Sequence, residues 1–575
     1  MKSKQSFHLI LIKPSHYDDE GYVIQWGRSA IPSNSLAALN ALAVDCVDRQ
    51  VLGEDVRIQV EVYDETNTTI RPNRIIRRIR RGVGGLIGFV GVQTNQFPRS
   101  VDLGQAFLNA GIPVAIGGFH VSGCFAMLKE MPREIQQALA DGFTLIAGEA
   151  EGHLDLILKD AYERRLKPSY NFLANTPNLE GTPSPFLPAS LVKRTFRRLS
   201  SFDAGRGCPF QCSFCTIINV QGRTSRWRSA DDIEALIRVN LKQGVWRFFI
   251  TDDDFARNKG WESILDRMIH LREKEGFQLS LTIQVDTLCH KIPRFIEKAV
   301  RAGCHNIFIG LESLNPESLI GAKKRQNKIG EYRKMLQLWK NHGCTTVGGY
   351  ILGFQTDTPS SIARDIEILK KELPVDIVEF FILTPLPGSE DHQQLYERGV
   401  WMDPDMNIYD LEHVTMAHPN MSKEELAETY RMAWRSYYTW EHIETLMRRA
   451  AASGEPVVKL MFLLFCFYGC IMFEGIHPLE GGLVRWRDRK TRRPNMPMES
   501  AWVFYPKQMR IVVSMSWQWG SLAWKLNQLR RKVENDPSKL QYSDTSLMSF
   551  PDEEEEDLDL HQTYGSLLGI KSLVK

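Results

Sequence analysis

The sequence lacks three features that would assign it to a simple class. It has no excess charge, because 71 Lys and Arg against 69 Asp and Glu leave a net charge of +2, which argues neither for nor against a nucleic-acid partner. We expect no such partner because the sequence shows neither a DNA-binding module nor a strongly basic face. We expect no signal peptide, since the N-terminal apolar run covers only residues 7–12. It has no disulfide framework, since most of its 10 cysteines are single, and we expect a cytoplasmic location.

The sequence also lacks an apolar run of membrane-spanning length. Its longest charge-free apolar segment, 460–473, has 14 residues, whereas a spanning helix needs about 20. We predict no transmembrane segment and interpret the run as a buried helix. An interfacial patch or the wall of a pocket for an apolar substrate is the alternative, and it would allow peripheral contact with a membrane.

Short apolar runs alternate with helical patterns through residues 1–165. The predicted strands are 7–12, 57–64, 85–92, 112–118 and 143–148, and one of the helical patterns is 124–142. Such alternation predicts an α/β domain with a parallel, doubly wound, Rossmann-like sheet. A proline-rich segment without periodicity follows, and we interpret 166–197 as a linker.

The alternation resumes in 198–415 with six further strand patterns. These patterns are 198–205, 246–253, 279–286, 306–313, 346–354 and 376–385. They predict a partial, TIM-like (β/α)6 barrel, whose functional groups would lie at the carboxyl ends of its strands. Residues 416–545 read as a mostly helical region, and 546–575 as an acidic, disordered tail.

Three cysteines follow the first barrel strand, in the stretch "CPFQCSFC". Cys208, Cys212 and Cys215 have the spacing C-x3-C-x2-C. A structural zinc site needs four ligands, usually from two cysteine pairs, and no second pair lies nearby. Three thiolates can instead hold a four-iron cluster with one iron open to an exogenous ligand. A third interpretation is that the three cysteines are unrelated structural thiols that bind no metal.

The cysteine stretch resembles the signature of radical S-adenosylmethionine (SAM) enzymes, with Phe214 in the aromatic position. The resemblance implies a [4Fe-4S] cluster on Cys208, Cys212 and Cys215, whose open iron binds SAM. It also implies SAM contacts at the ends of later strands, although each residue could instead cap a helix or a turn. The implied SAM-binding residues are Phe214, Asp252, Asp253, Asp254, Gln284, Glu312 and Gly353.

The stretches "VAIGGFHVSGCF" and "FTLIAGEAEGHL" resemble the cobalamin-binding domain that precedes the barrel in one radical SAM subfamily. The implied cobalamin-binding residues are Gly117, Gly118, Phe119, His120, Gly148 and Glu149. In the D-x-H-x-x-G motif of other cobalamin proteins the histidine ligates cobalt. Here Gly118 replaces the aspartate that would orient His120, so we do not predict His120 as a cobalt ligand.

Together these resemblances imply a cobalamin-dependent radical SAM enzyme. The implied reaction places a methyl group on an unactivated carbon through methylcobalamin and a 5'-deoxyadenosyl radical. It needs a small-molecule substrate, hydrophobic if the apolar run lines its pocket, and an electron donor such as a ferredoxin or flavodoxin. The alternatives are a non-methylating rearrangement or cyclisation, with or without cobalamin, and an iron-sulfur or cobalamin sensor. Catalytic residues are not assigned.

Overall fold

The computed structural model describes residues 5–548, so most of the predicted acidic tail, 549–575, lies outside the described residues. The strands are β1 Gln5–Lys13, β2 Gln25–Ser29, β3 Val56–Asp64, β4 Gly84–Phe89, β5 Val114–Gly117, β6 Thr144–Ala147, β7 Ser169–Asn171, β8 Leu199–Phe202, β9 Gly205–Arg206, β10 Arg226–Trp227, β11 Arg247–Ile250, β12 Ser280–Val285, β13 Cys304–Glu312, β14 Thr345–Leu352, β15 Ile377–Ile382 and β16 Gly482–Trp486.

The α-helices lie between these strands and, beyond β15, mostly follow one another. They are α1 Asn34–Asp48, α2 Pro72–Ile79, α3 Phe97–Leu108, α4 Phe119–Met127, α5 Arg133–Ala140, α6 Leu154–Tyr162, α7 Ala189–Val192, α8 Ile217–Val220, α9 Ala230–Lys242, α10 Trp261–Glu273, α11 Phe295–Arg301, α12 Pro316–Gly321, α13 Tyr332–Asn341, α14 Pro359–Lys371, α15 Glu390–Glu397, α16 Lys423–Tyr437, α17 Trp440–Ala452, α18 Val457–Gly469 and α19 Ala501–Glu534.

The front of the chain forms a six-stranded parallel sheet in the order β3-β1-β4-β5-β6-β7. Residues 9–12 of β1 are buried on both faces of the sheet, as expected for a strand covered by helices on each side. The doubly wound domain is therefore confirmed. Its last strand, Ser169–Asn171, lies inside the segment that we interpreted as a linker.

The helical pattern at 124–142 is two helices rather than one. α4 ends at Met127 and α5 begins at Arg133, directly after Pro132. A proline within a helix removes a backbone donor and clashes with the preceding turn, so the break follows from the sequence.

Six parallel strands form the second sheet, in the order β15-β14-β13-β12-β11-β8. All six predicted barrel strands are present, which confirms the partial barrel. Because β8 and β15 are the two edges, the barrel is open on one side. A two-stranded antiparallel sheet of β2 with β16 joins an early segment of the chain to the C-terminal region.

The apolar run of the sequence forms α18 and a π-helical turn, Cys470–Glu474. Among residues 5–548, Val457–Glu474 is the one helix that is long and apolar enough to cross a membrane, and 33% of that window is buried. An interior helix passes the same test. Here the Phe462 ring stacks on Phe196 with centroids 4.8 Å apart, and Phe465 contacts Trp519 of α19 at 4.7 Å.

Candidate active site

The three cysteines lie in the loop that follows β9, just beyond the carboxyl end of β8, the first barrel strand. Two backbone hydrogen bonds fix this loop to other parts of the barrel. The Cys208 N–H donates to the Gly222 carbonyl at 3.3 Å, and the Ser213 N–H donates to the Ala322 carbonyl at 3.0 Å. The cysteines are therefore presented on a fixed loop where barrel chemistry is expected.

The thiols are protected from solvent to different degrees. Cys212 is buried, and Cys208 and Cys215 are half-buried. Burial raises the pKa of Cys208 and of Cys215 to about 12, so both stay protonated until a metal displaces the protons. The Gln326 amide donates a hydrogen bond to the Cys212 sulfur at 3.5 Å.

The spacing of the three sulfurs disfavours a single zinc ion. Among residues 5–548, the only group of three or more Cys, His, Asp or Glu ligand atoms lying within 4.8 Å of one another is elsewhere, at His120, Cys124 and Glu134. Thiolates around one tetrahedral zinc would lie about 3.8 Å apart, given a Zn–S bond of about 2.3 Å. In a four-iron cluster each cysteine binds a different iron, so its thiolates need not lie that close together.

Asp252 holds the cysteine loop rather than facing open space. One carboxylate oxygen accepts hydrogen bonds from the backbone N–H groups of Ala204 and Gly205 at 2.7 and 2.8 Å. The other oxygen accepts from the Asn258 amide at 2.8 Å. Burial raises the pKa of Asp252 to about 7. Protein donors thus already contact both of its oxygens.

The two following aspartates differ from Asp252 and from each other. Asp254 accepts the Asp286 backbone N–H at 3.3 Å, so it contacts the end of β12. Asp253 is half-buried and accepts a hydrogen bond from the Gly207 N–H. Its charge adds to burial in raising the pKa of Cys215. Of the three aspartates, Asp253 is the one that combines partial exposure with proximity to the thiols.

A buried ion pair lies beside the cysteines. Glu312, at the end of β13, pairs with Lys324 at 2.5 Å, and its φ of +63° is unusual for a residue other than glycine. Burial alone would lower the pKa of Lys324, but Glu312 and Cys212 raise it above its ordinary value. The Lys324 nitrogen lies 5.7 Å from the centre of the Phe214 ring. The sequence reading missed this lysine.

Gln284 and Gly353 lie at the ends of β12 and β14. The Gln284 amide donates to the Asp252 carbonyl at 3.4 Å. The Gly353 N–H donates to Asp357 at 2.9 Å, and its φ of +100° suits glycine. Gly353 lines a cavity that also has Ser213 of the cysteine loop in its wall. These two residues therefore face the same end of the barrel as the cysteines.

A cavity with about 1080 Å³ of open space separates the front sheet from the cysteine loop. The predicted residues Gly117, Gly118, Phe119, Gly148 and Glu149 line it on one side, and Arg206, Val220 and Gln221 line it on the other. Gly118 has a φ of +154°, and a Cβ there would lie 2.1 Å from the Val92 nitrogen. Gly118 thus lets the loop after β5 pack directly on the backbone of the loop after β4, at the wall of the cavity.

His120 does not line this cavity. It is fully buried, and its ring packs against Phe97 with centroids 4.5 Å apart. Burial lowers the pKa of His120 to about 3 and raises that of Cys124 well above its ordinary value, so both are neutral at pH 7. The structure therefore separates His120 from the other five residues with which we had grouped it.

A second large cavity, of about 1470 Å³ of open space, occupies the barrel interior. Its apolar wall combines strand residues with residues of α18, namely Phe249, Phe308, Phe462, Leu463, Cys466 and Phe467. Glu379 of β15 lines it too, is 3% exposed and has one oxygen without a hydrogen-bond partner. Ala30 and Ile31 wall this cavity, and Asn34 and Ser35 wall the front one, so a single short segment borders both.

Comparisons with known proteins agree with this arrangement. A sequence profile described as the Radical SAM superfamily matches residues 203–369. The solved structure of OxsB, a cobalamin-dependent S-adenosylmethionine radical enzyme, superposes with a TM-score of 0.54 at 16% identity, covering 98% of this chain and 84% of that one. The chain therefore contains a radical SAM domain, and its fold is like that of a cobalamin-dependent radical SAM enzyme.

Two curated methyltransferases are similar to this radical SAM enzyme in sequence. Bacteriochlorophyllide d C-12(1)-methyltransferase of Chlorobaculum tepidum is 28% identical over 331 residues, which are 56% of this chain and 69% of the relative. Hopanoid C-2 methylase of Rhodopseudomonas palustris is 24% identical over 293 residues, which are 50% of this chain and 53% of the relative.

Arg206 is the main residue that sequence reasoning missed in this enzyme. Its guanidinium contacts Glu149 at 2.6 Å, Glu151 at 2.7 Å and Asp203 at 3.1 Å. Glu149, which we had assigned to cobalamin, also pairs with Arg226. Arg206 therefore ties the loop after β6 to the loop that carries the cysteines. The sequence did hold a signal for this residue, namely an arginine only two positions before Cys208. A charged residue so close to a buried site is rarely buried without an acidic partner.

Proposed function

We propose that this enzyme transfers a methyl group to an unactivated carbon of an apolar small molecule. In this proposal Cys208, Cys212 and Cys215 hold a [4Fe-4S] cluster, SAM binds beside it, and cobalamin occupies the front cavity. The observation that carries the proposal is the position of that cavity, whose walls come from the glycine loops of the front sheet and from residues 220–221, directly after the cysteines. When bound, these groups supply radical hydrogen abstraction and methyl transfer.

The protein residues then have distinct roles. We assign the SAM ammonium to Asp253, because a half-buried carboxylate can accept a charge-assisted hydrogen bond. Asp252 keeps the cysteine loop in place through its three protein donors. Glu312 and Lys324 form a buried pair next to Cys212, and their hydrogen bond orders that side of the site. Gly353 lets ligand atoms approach the backbone closely.

The barrel cavity is the proposed substrate site. Its aromatic and aliphatic wall favours a large apolar molecule, and the two curated relatives are named for a bacteriochlorophyllide and a hopanoid. Burial raises the pKa of Glu379 to about 8, so this side chain is a neutral acid at pH 7. It can donate a hydrogen bond to an oxygen or nitrogen of the substrate, which would set the orientation of that substrate in an apolar site.

Two further assignments belong to the same proposal. A ferredoxin or flavodoxin would supply the electron, and the enzyme would act in the cytoplasm. A cyclisation or rearrangement is the alternative outcome, because the cofactor site would be the same and only the substrate would differ.

Anaerobic purification with added hydroxocobalamin tests the cofactor assignment. We expect about four irons and one corrinoid per chain. Cys208→Ala, Cys212→Ala or Cys215→Ala should lose the iron, while Cys466→Ala, another half-buried cysteine, should keep it. Iron without corrinoid would contradict the cobalamin assignment and leave the cluster standing.

SAM with a deuterated methyl group tests the reaction. The holoenzyme is incubated with a reductant and the apolar extract of its source cells. A new apolar product carrying the labelled methyl group supports methyl transfer. Turnover of SAM that yields a product without the label would favour cyclisation or rearrangement.

A further inference from the structure

The longest helix among residues 5–548 is α19, and it has two apolar faces, of which one is packed and the other is exposed. α19 packs inward through Phe504, Leu522, Leu526 and Val533, all of which are buried. Trp519 lies on the same side, and a Cβ on Gly469 of α18 would lie 2.2 Å from its ring. This inward face accounts for how the helix is held on the protein.

The opposite face of α19 is apolar and exposed. Its residues recur at helical spacing and have high exposed fractions, namely Trp502 91%, Tyr505 62%, Met509 69%, Val513 65%, Trp517 75% and Trp524 63%. From Trp502 to Trp524 this stripe is about 33 Å long, at 1.5 Å per residue. Among residues 5–548 no element covers it. A continuous exposed apolar stripe of this length marks an interaction surface.

The charges of α19 indicate the kind of partner. α19 contains six Lys and Arg and one acidic residue, Glu534 at its last position, which pairs with Arg530. A helix with tryptophans on its apolar face and an excess of cations among its charged groups is typical of helices that lie in the interface of an anionic bilayer. Tryptophan and tyrosine favour this depth, since their rings are apolar and their N–H or O–H groups reach water.

We propose that α19 docks this enzyme on the surface of an anionic lipid bilayer. The stripe from Trp502 to Trp524 would enter the interface, with the exposed Arg510 beside lipid headgroups. Beneath it α19 packs on α18, whose other side walls the barrel cavity. Docking would thus bring that cavity near the bilayer, and only this last step rests on the proposed function.

Vesicle flotation of the full-length protein tests the proposal. Vesicles of phosphatidylcholine with about 30% phosphatidylglycerol are compared with pure phosphatidylcholine. We expect binding to the anionic vesicles at about 0.05 M salt and weaker binding at about 0.5 M salt. Brominated lipids should quench the tryptophan fluorescence, because the exposed rings would lie among acyl chains.

The double variant Met509→Glu/Val513→Glu places two charges on the stripe, at exposed positions that make no core contacts. It should lose at least about tenfold in vesicle binding. The matched control Val44→Glu/Val239→Glu changes exposed valines on α1 and α9 and should bind like the wild type. Iron and corrinoid content, which report the proposed function, should be the same in all three proteins.

Three results would overturn the proposal. The wild type could fail to bind either vesicle, or the stripe variant could bind as well as the wild type. Sedimentation could also show a wild-type dimer that the stripe variant dissociates, which would assign the surface to a second copy of this chain. A wild-type protein that binds anionic vesicles but holds no iron or corrinoid would instead count against the proposed function alone.

Discussion

Replacing Arg206 with methionine should loosen the contact between the front sheet and the cysteine loop. In the wild type, burial alone would raise the pKa of Glu151, but the Arg206 charge overrides it and keeps the pKa below its ordinary value. Asp203 behaves in the same way. Methionine fills a similar volume but provides no charge, so the variant isolates the electrostatic contribution of the guanidinium.

The stability cost of Arg206→Met depends on which cationic partner each of the three carboxylates keeps. Glu149 keeps its contact with Arg226, and Asp203 keeps Arg228 at 3.3 Å. Glu151 has no second Lys or Arg within 4.0 Å among the described residues. One buried carboxylate is therefore left unpaired, which costs about 3–5 kcal/mol.

Hydrogen–deuterium exchange of residues 148–152 and 203–207 measures this cost locally, without requiring two-state unfolding of a multidomain chain. A loss of about 3–5 kcal/mol corresponds to roughly two to four orders of magnitude in protection. The double variant Arg206→Met/Glu151→Gln should recover much of that loss, because the unpaired charge is gone. Corrinoid content should fall with Arg206→Met, since these loops wall the front cavity.

The dependence on pH gives a second check. Lowered carboxylate pKa values stabilise the wild type above the ordinary pKa of about 4.5, and this stabilisation is lost as the pH falls through the folded values. The difference between wild type and Arg206→Met should therefore shrink below about pH 4.5. Arg223→Met, a change at an exposed arginine nearby, is the control. Equal protection in Arg206→Met and wild type at pH 7 would refute the reasoning.

Three further predictions concern single positions. In the wild type the free energy of unfolding should fall as the pH rises from about 4.5 to 8, because Glu379 ionises first in the unfolded chain, and the loss reaches about 3 kcal/mol at pH 7. Glu379→Gln should remove this loss, which thermal melting at several pH values measures. Gly118→Ala should cost at least about 1–3 kcal/mol and lower corrinoid content, since its Cβ would meet the Val92 backbone. Lys324→Met should cost about 3–5 kcal/mol by leaving Glu312 buried and unpaired, and iron content should fall.

Each of these variants has a matched control. Glu424→Gln, at an exposed glutamate, should leave the pH dependence of melting unchanged. Gly53→Ala also has a positive φ, but nothing lies within 4 Å of its Cβ, so corrinoid content should hold. Lys323→Met changes an exposed lysine and should keep its iron. Any control that matches its partner variant would show that the effect is not specific to the site.

The elements of the fold could largely be predicted from the sequence, because their patterns are local. Alternating apolar runs and amphipathic stretches indicated both parallel sheets, and all six barrel strands are present. The C-x3-C-x2-C spacing pointed to the open cluster site on residues that are neighbours in the chain. The break before α5 was also readable, since Pro132 precedes it.

The partners of each polar side chain were decided by the tertiary structure. Three adjacent aspartates look alike in the sequence, yet Asp252 accepts backbone N–H groups that come from 47 and 48 residues earlier. Glu149 meets Arg206 across 57 residues. A carboxylate is available to a ligand only if protein donors do not already occupy its oxygens. Those donors come from distant parts of the chain, so no local sequence pattern predicts them.

The surroundings of His120 and of α18 could not be predicted from the sequence for the same reason. The position of His120 in its motif gave no sign that the ring packs on Phe97, away from the cavity. The apolar run could equally have been core, membrane or pocket wall, because hydrophobicity is non-directional and identifies no partner. The sequence by itself determined which segments become strands and helices and which thiols lie together. Only the packing of distant segments decided which side chains remain free, since burial and hydrogen bonding are set by neighbours in space.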